Sequence, residues 1–212
     1  MRILGIDPGT QFLGAGVVER QGCRVRHVAH ALLTPKDFDT LPDKLAYLFD
    51  GLSEIIAAHR PDAVAVETVF HGKNARSALV LAHARGVALL AAVKSGLPVF
   101  EYAPSQVKRA VGASGSAPKE VVTRLVCALL GLTEVERADC ADALAIALCH
   151  LNHSGLLYRP AEGFRITRQS DNARASTLSR AQITIQRRAP ASASTPSASQ
   201  RAPAAIKRRD PP

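Results

Sequence analysis

Short apolar runs punctuated by turn residues dominate the first 150 positions. Arg2–Asp7 (RILGID) ends at a Pro-Gly turn and predicts a buried strand. Leu13–Glu19 and Arg24–Leu33 predict two more strands, close enough in sequence to form an antiparallel meander. From Leu41 to His59 the apolar positions Leu45, Leu48, Leu52, Ile55 and Ile56 recur at helical spacing, and Pro61 closes the segment. Asp62–Glu67 predicts a fourth strand. Asn74–Ser95 predicts a long helix stopped by Gly96, and Pro98–Tyr102 a fifth strand. Pro104–Val111, Lys119–Leu130 and Ala138–His150 predict three further helices. A three-strand meander followed by alternating helices and strands implies an α/β fold, a mixed five-stranded sheet flanked by helices on both faces.

Charge divides the chain. Of 212 residues, 27 are Lys or Arg and 18 are Asp or Glu, a net charge of +9. Residues 154–212 hold eleven of the basic and three of the acidic residues, so the part before them is nearly neutral. Six of the 13 prolines fall from Pro160 onward, around the low-complexity stretch APASASTPSASQRAPA. Too few large apolar side chains are present there to offset the entropy of ordering. The expected organisation is a folded domain over 1–155 and a basic, disordered Ala/Pro/Ser-rich tail over 156–212, where Ile183 and Ile185 are the single hint of local order. The basic excess favours a nucleic-acid partner. No apolar stretch approaches the ~18 residues of a membrane span. Asp7 interrupts what would be the apolar core of a signal peptide, so a cytoplasmic location is expected.

Cys23, Cys127, Cys140 and Cys149 have no metal-ligand spacing and read as small buried apolar side chains. His150 and His153, three apart near a helix end, could serve a metal, but a solvated or capping role is the expectation. The candidate chemistry lies with four acids. Asp7 and Glu67 end the first and fourth strands, and ligands of open α/β sheets bind beyond such strand ends. Asp139 and Asp142 are three apart at a helix start and share one face. Singly, each has an ordinary explanation: a solvated strand end, or a helix acid answering the macrodipole. Gathered in one crevice, four carboxylates need compensating cations, and hard oxygens suit Mg²⁺ or Mn²⁺. Two such ions ~4 Å apart suit phosphodiester hydrolysis. Gly5, Gly9, Gly14 and Gly16 would let backbone or phosphate approach closely around the first turn.

The segments GIDPGT, AVETVFHGKNARSALVLAHARGVALLAAV, PVFEYAPSQVKRAVGASGSAPKEVV and ADCADALAIAL resemble, in order, the RuvC Holliday junction resolvases. The resemblance spans about residues 1–152. It implies a ribonuclease H-like fold, a homodimer, and Mg²⁺-dependent nicking of four-way junction DNA with two ions per subunit, for which Mn²⁺ can substitute. It further implies the RuvA–RuvB branch-migration complex as a partner. The family's acidic tetrad falls on Asp7, Glu67, Asp139 and Asp142, the same four acids. It makes Phe70 the aromatic that stacks on a base at the junction centre, although a single Phe is more commonly a core residue. Lys73, Asn74 and Arg76 on the same segment suit phosphate contacts, and Lys108 and Lys119 match lysines that hold DNA backbone beside the active site. Thr68 stands where many relatives have Gln, and His71-Gly72 replaces a more apolar pair, which bears on base preference. The implied products are a 5′-phosphate and a 3′-hydroxyl. The helix over 74–95 is the candidate dimer seam, with core packing as its plain alternative.

Other classes fit less well. ATPases of the actin and sugar-kinase type share G-I-D-x-G-T, but they need a duplicated second half that 212 residues without an internal repeat do not supply. A ribonuclease H-like RNA nuclease, or a non-catalytic nucleic-acid binder on a degenerate core, remains as the alternative; retention of all four acids and both lysines speaks against decay.

Overall fold

The computed structural model describes residues 1–68 and 75–154, the backbone alone for 75–77, and a short strand at Lys207–Arg208. In chain order the elements are β1 (Arg2–Asp7), β2 (Leu13–Gln21), β3 (Arg24–Leu33), α1 (Leu41–His59), β4 (Ala63–Glu67), α2 (Ala75–Lys94), β5 (Val99–Tyr102), α3 (Pro104–Ala110), α4 (Lys119–Leu130), α5 (Ala138–Ser154) and β6 (Lys207–Arg208).

Local chemistry sets the boundaries. Gly22, at φ +58°, turns β2 into β3, where Gln21 pairs with Arg24. Thr40 caps α1 by accepting the Asp43 N–H on Oγ1 at 3.3 Å, and Pro42 sits in the first turn, where its missing N–H costs nothing. At the other end Arg60 adopts a left-handed φ of 45° and donates its N–H to the Ile56 carbonyl, just before Pro61. Gly131 closes α4 the same way, donating to the Cys127 carbonyl.

The sheet order is β5-β4-β1-β2-β3-β6. β1 pairs antiparallel with β2 and β2 with β3, while β1, β4 and β5 run parallel. These are the five expected strands. β6 adds two residues antiparallel to the outer edge of β3, in a region where the sequence predicts no strand. The rest of the expected tail lies outside the described residues.

Strand alternation then builds two cores. Leu4, Ile6, Val64 and Val66 face α1 and α2, packing with Leu48, Leu52, Ile55, Ala84 and Ala88. Ile3, Ala63 and Ala65 face the opposite side and pack with α3, α4 and α5. Helix α5 is buried on nearly all sides: Cys140, Ala141 and every residue from Ala143 to Leu151 are buried. It reaches the sheet through glycines. A Cβ on Gly5 would stand 2.0 Å from the Ala143 carbonyl oxygen, one on Gly14 would stand 2.0 Å from that of Asp139, and one on Gly16 would stand 2.7 Å from the Leu144 nitrogen. The close approach at these three glycines is therefore that of helix α5, by its backbone at Gly5 and Gly14 and by the nitrogen and side chain of Leu144 at Gly16, not of phosphate.

Two smaller expectations change. His150 is neither solvated nor a cap: it is 1% exposed, its Nδ1 lies 2.7 Å from the Tyr102 hydroxyl, and burial pushes its pKa down to about 4. α5 is enclosed to its last turns, so a side chain that looks terminal in sequence is interior in space. Cys127, Cys140 and Cys149 are buried as expected, with the Cys149 thiol pushed up to about 12 by burial, whereas Cys23 is exposed in the β2–β3 turn. No helix among the described residues is long and apolar enough to cross a membrane.

Candidate active site

Two parallel strands deliver the first pair of acids. Ile6 pairs with Val66 across β1 and β4, so the next residues, Asp7 and Glu67, end neighbouring strands side by side. Both fall in the alternation set of Gly5 and Ala65, which faces α5. Thr68, directly after Glu67, donates its backbone N–H at 2.9 Å and its hydroxyl at 3.3 Å to the Tyr102 carbonyl, fixing the chain where it leaves the sheet.

Helix α5 delivers the second pair. Asp7 pairs with Gly14 on β2, and the Asp139 carbonyl rests on Gly14. The first turn of α5 therefore lies against the strand beside Asp7. The side chains of Asp139 and Asp142 keep 25% and 23% of their exposure, which leaves the cluster open to a solvent-borne ligand.

The electrostatics record this convergence. Burial, then the charges of Asp142 and Glu67, and at a smaller weight Asp139, push the Asp7 pKa from its ordinary 3.8 up to about 7, against the opposing charge of Lys119. Glu67 is raised by burial and by Asp142, with Lys119 and Lys108 pulling the other way. Lys119, the first residue of α4, donates from Nζ to Asp142 Oδ2 at 3.0 Å, and this bond raises its own pKa. Lys108, near the end of α3, donates from Nζ to the Ala117 carbonyl at 2.8 Å and so ties the α3–α4 connection down next to Lys119. Asp7, Glu67, Asp139, Asp142, Lys108 and Lys119 thus meet at one end of the sheet. Phe70, Lys73 and Asn74 lie outside the described residues. Arg76 is in the first turn of α2, its side chain likewise outside them.

One neighbour has no counterpart in the sequence reading. Arg137 donates from Nε to Asp139 Oδ2 at 3.1 Å, while its guanidinium lies 3.7 Å from the centre of the Phe12 ring. Its place two residues before Asp139 was the available signal; Phe12, 125 positions away, gave none.

As placed, no three His, Cys, Asp or Glu side chains among the described residues close tightly enough on one point to hold an ion. The donor set nevertheless fits a divalent cation: every acid offers hard oxygen, and the burial and carboxylate repulsion that raise Asp7 are both offset by such a cation. Lys119 and Arg137 already supply positive charge to two of the four acids.

Residues 3–150 match the family profile described as "Crossover junction endodeoxyribonuclease RuvC". The protein of that name from Myxococcus xanthus is 56% identical over 155 residues, covering 72% of this chain and 81% of that one. Its namesake from Trichlorobacter lovleyi is 54% identical over 153 residues, covering 72% and 85%. Among solved structures, Thermus thermophilus RuvC in complex with a Holliday junction substrate superposes with a TM-score of 0.68 at 36% identity, over 73% of this chain and 94% of that one. The yeast mitochondrial resolvase Ydc2, at 13% identity and a TM-score of 0.50, shares the fold. Profile, identity and superposition agree with the ribonuclease H-like architecture built above, and the chain belongs to the RuvC family of crossover junction endodeoxyribonucleases.

Proposed function

We infer that this protein is a structure-selective DNA endonuclease that resolves four-way junctions in recombination and repair. The observation that carries the reading is the meeting of four carboxylates from β1, β4 and α5 with the lysines of α3 and α4, on a fold whose relatives are named for this activity.

Nucleases of this family depend on metal. Asp7, Glu67, Asp139 and Asp142 are the residues that would hold it, as two Mg²⁺ per subunit, with Mn²⁺ as a substitute. When bound, such ions supply charge neutralisation at the phosphate and a lower pKa for the attacking water. The chain itself orients the reaction. Asp7 and Glu67, fixed at paired strand ends, set the floor of the site. Lys119, held beside Asp142 by its hydrogen bond, would present its ammonium to the phosphate oxygens, and Lys108 anchors the loop that carries it. Charge developing on the phosphoryl oxygens meets these two ammonium groups. Water adds to phosphorus and the bond to the 3′ oxygen breaks, leaving a 5′-phosphate and a 3′-hydroxyl.

Phe70, Lys73, Asn74 and Arg76 complete the junction contacts, the aromatic ring by stacking and the others on phosphates. The nuclease unit is residues 1–155, to whose sheet β6 adds two residues, and the basic tail over 156–212 adds sequence-independent phosphate contacts. A homodimer matches the two-fold symmetry of a four-way junction and places paired nicks at symmetric positions. Helix α2 supports that assembly: it leaves Leu79, Leu90 and Val93 more than half exposed, and Leu79 and Leu90 line an apolar groove with Ala82 and Val87. The RuvA–RuvB complex is the partner implied by family membership, and the cytoplasm is the place of action.

The test is cleavage of labelled four-way junction, linear duplex and RNA–DNA hybrid, with and without Mg²⁺, with Asp7→Asn as control. Cutting of the junction alone, dependent on Mg²⁺ and lost in Asp7→Asn, is expected. Preference for the hybrid would make the protein an RNA nuclease, and binding without cutting would make it a non-catalytic binder.

A further inference from the structure

Two of the four acids at the site are each touched by a cation, Asp142 by Lys119 and Asp139 by Arg137, and the two cations are differently built. Lys119 is the lysine that the family motif accounts for. Arg137 is not, and it is held twice: by Nε on Asp139 at 3.1 Å and by its guanidinium over the Phe12 ring at 3.7 Å. A planar cation against an aromatic face keeps its plane while the side chain turns, and a guanidinium carries five N–H donors, of which the Asp139 bond uses one. Arg137 also keeps 45% of its side-chain exposure, so the contacts that restrain its movement are the Phe12 ring and the Asp139 bond.

Its surroundings say where it would swing. Arg137 lines an open groove together with Lys119, Glu120, Thr123 and Arg124, along the side of the carboxylate cluster formed by α4 and the start of α5. Three cations and a hydroxyl beside one acid suit a backbone phosphate, which a guanidinium can bind with two parallel N–H donors. Asp139 Oδ2 cannot serve the guanidinium and a divalent cation at full strength together, and the two positive charges repel.

We propose that Arg137 is a two-position cation: it neutralises Asp139 before an ion binds, and moves to a phosphate of the bound strand when Asp139 takes up that ion. The inference rests on the nuclease reading above and adds a phosphate-binding residue to it. Phe12 is then a positioning residue that holds the guanidinium between its two partners. The exchange couples the two ligands. Filling Asp139 frees a phosphate contact, and by reciprocity a bound strand raises affinity for the ion.

The test separates these effects in one substitution. In Arg137→Gln, Mn²⁺ titrated calorimetrically into the protein without DNA is expected to bind roughly fivefold more tightly, because a competing charge has gone. Binding of a fluorescein-labelled four-way junction in Ca²⁺ is expected to weaken about threefold to tenfold, with the salt slope shallower by about one phosphate contact. Arg137→Lys, which keeps the charge, should restore most of the salt slope. Phe12→Leu should shift both affinities in the direction of Arg137→Gln, by less. Unchanged or weaker Mn²⁺ binding in Arg137→Gln overturns the proposal, as does an unchanged salt slope. A loss of both affinities would make Arg137 a structural residue, which also overturns it. The Mn²⁺ arm uses no DNA, so it decides whether Arg137 competes with the ion for Asp139 even if the wild-type protein ignores the junction, a result that would strike the nuclease reading instead.

Discussion

Replacing Asp7 by Asn should stabilise the ion-free fold while removing its activity. Folding withdraws the Asp7 carboxyl from water and places it beside Asp142, Glu67 and Asp139, which moves its ionisation from 3.8 to about 7. Below pH 3.8 the group is protonated folded and unfolded, and it costs nothing. As pH rises past 3.8 the unfolded chain releases the proton first, so the folded state loses ground until about pH 7, above which the loss is constant. A displacement from 3.8 to about 7, at ~1.4 kcal/mol per tenfold change in proton affinity, comes to on the order of 4 kcal/mol. Asp7 keeps some contact with solvent, and screening trims this to about 2–4 kcal/mol. That is a large share of the ~5–15 kcal/mol that holds a typical domain folded. Asn has nearly the same shape, carries no charge, and offers an amide that neighbouring carboxylates accept. Urea unfolding in EDTA, followed by circular dichroism at pH 4, 6 and 8, should show the variant and wild type nearly equal at pH 4 and separated in favour of Asn at pH 8. Excess Mg²⁺ should close the gap by stabilising wild type, by ~2.7 kcal/mol when the ion is at one hundred times its dissociation constant. Equal stability at pH 8 in EDTA, or a gain that does not change between pH 4 and 8, would refute the reasoning that strain among these acids is stored for the cation.

Three other outcomes are expected. Gly14→Ala drives a methyl into the Asp139 carbonyl, so it should destabilise the fold by about 3 kcal/mol and lower Mg²⁺ affinity as α5 shifts; a variant with wild-type melting and metal binding would mean that the helix can yield. Leu79→Glu with Leu90→Glu on the outer face of α2 should leave a folded monomer by light scattering that no longer makes paired nicks, whereas an unaltered dimer would place the seam elsewhere. Deleting residues 156–212 should weaken junction binding and flatten its salt dependence with cleavage in Mg²⁺ retained; complete loss of cutting would make the tail part of the active machinery.

Much of this site was legible because it depends on local periodicity. Asp7 and Glu67 could be read as strand ends from the apolar runs before them, and Asp139 and Asp142 as one helical face from their spacing. That β4 lies next to β1 was not in the spacing; it follows from the α1 crossover, which returns the chain parallel to the first strand. The glycines were visible, yet what they make room for was not, since helix α5 comes more than 120 residues later. Phe12 and Arg137 belong to the same class: they meet because α5 lands on β2, and neither residue carries that information alone. His150 was misread for the converse reason, since its position in the chain suggests an end and its packing makes it a core residue. Pairings within an element were readable, and those created by a non-local backbone contact were not.

The bare contact between α5 and the sheet also constrains how such an enzyme can change over generations. At Gly5 and Gly14 the nearest atoms of the helix are main chain, so the offset of Asp139 and Asp142 from Asp7 is set there by backbone rather than by side chains that substitution can resize. Drift in the surrounding Leu, Ile and Val residues can resize the core without moving the acids. The carboxylate cluster is therefore buffered against most substitutions and exposed to very few, and new specificities would have to arise from surfaces outside it.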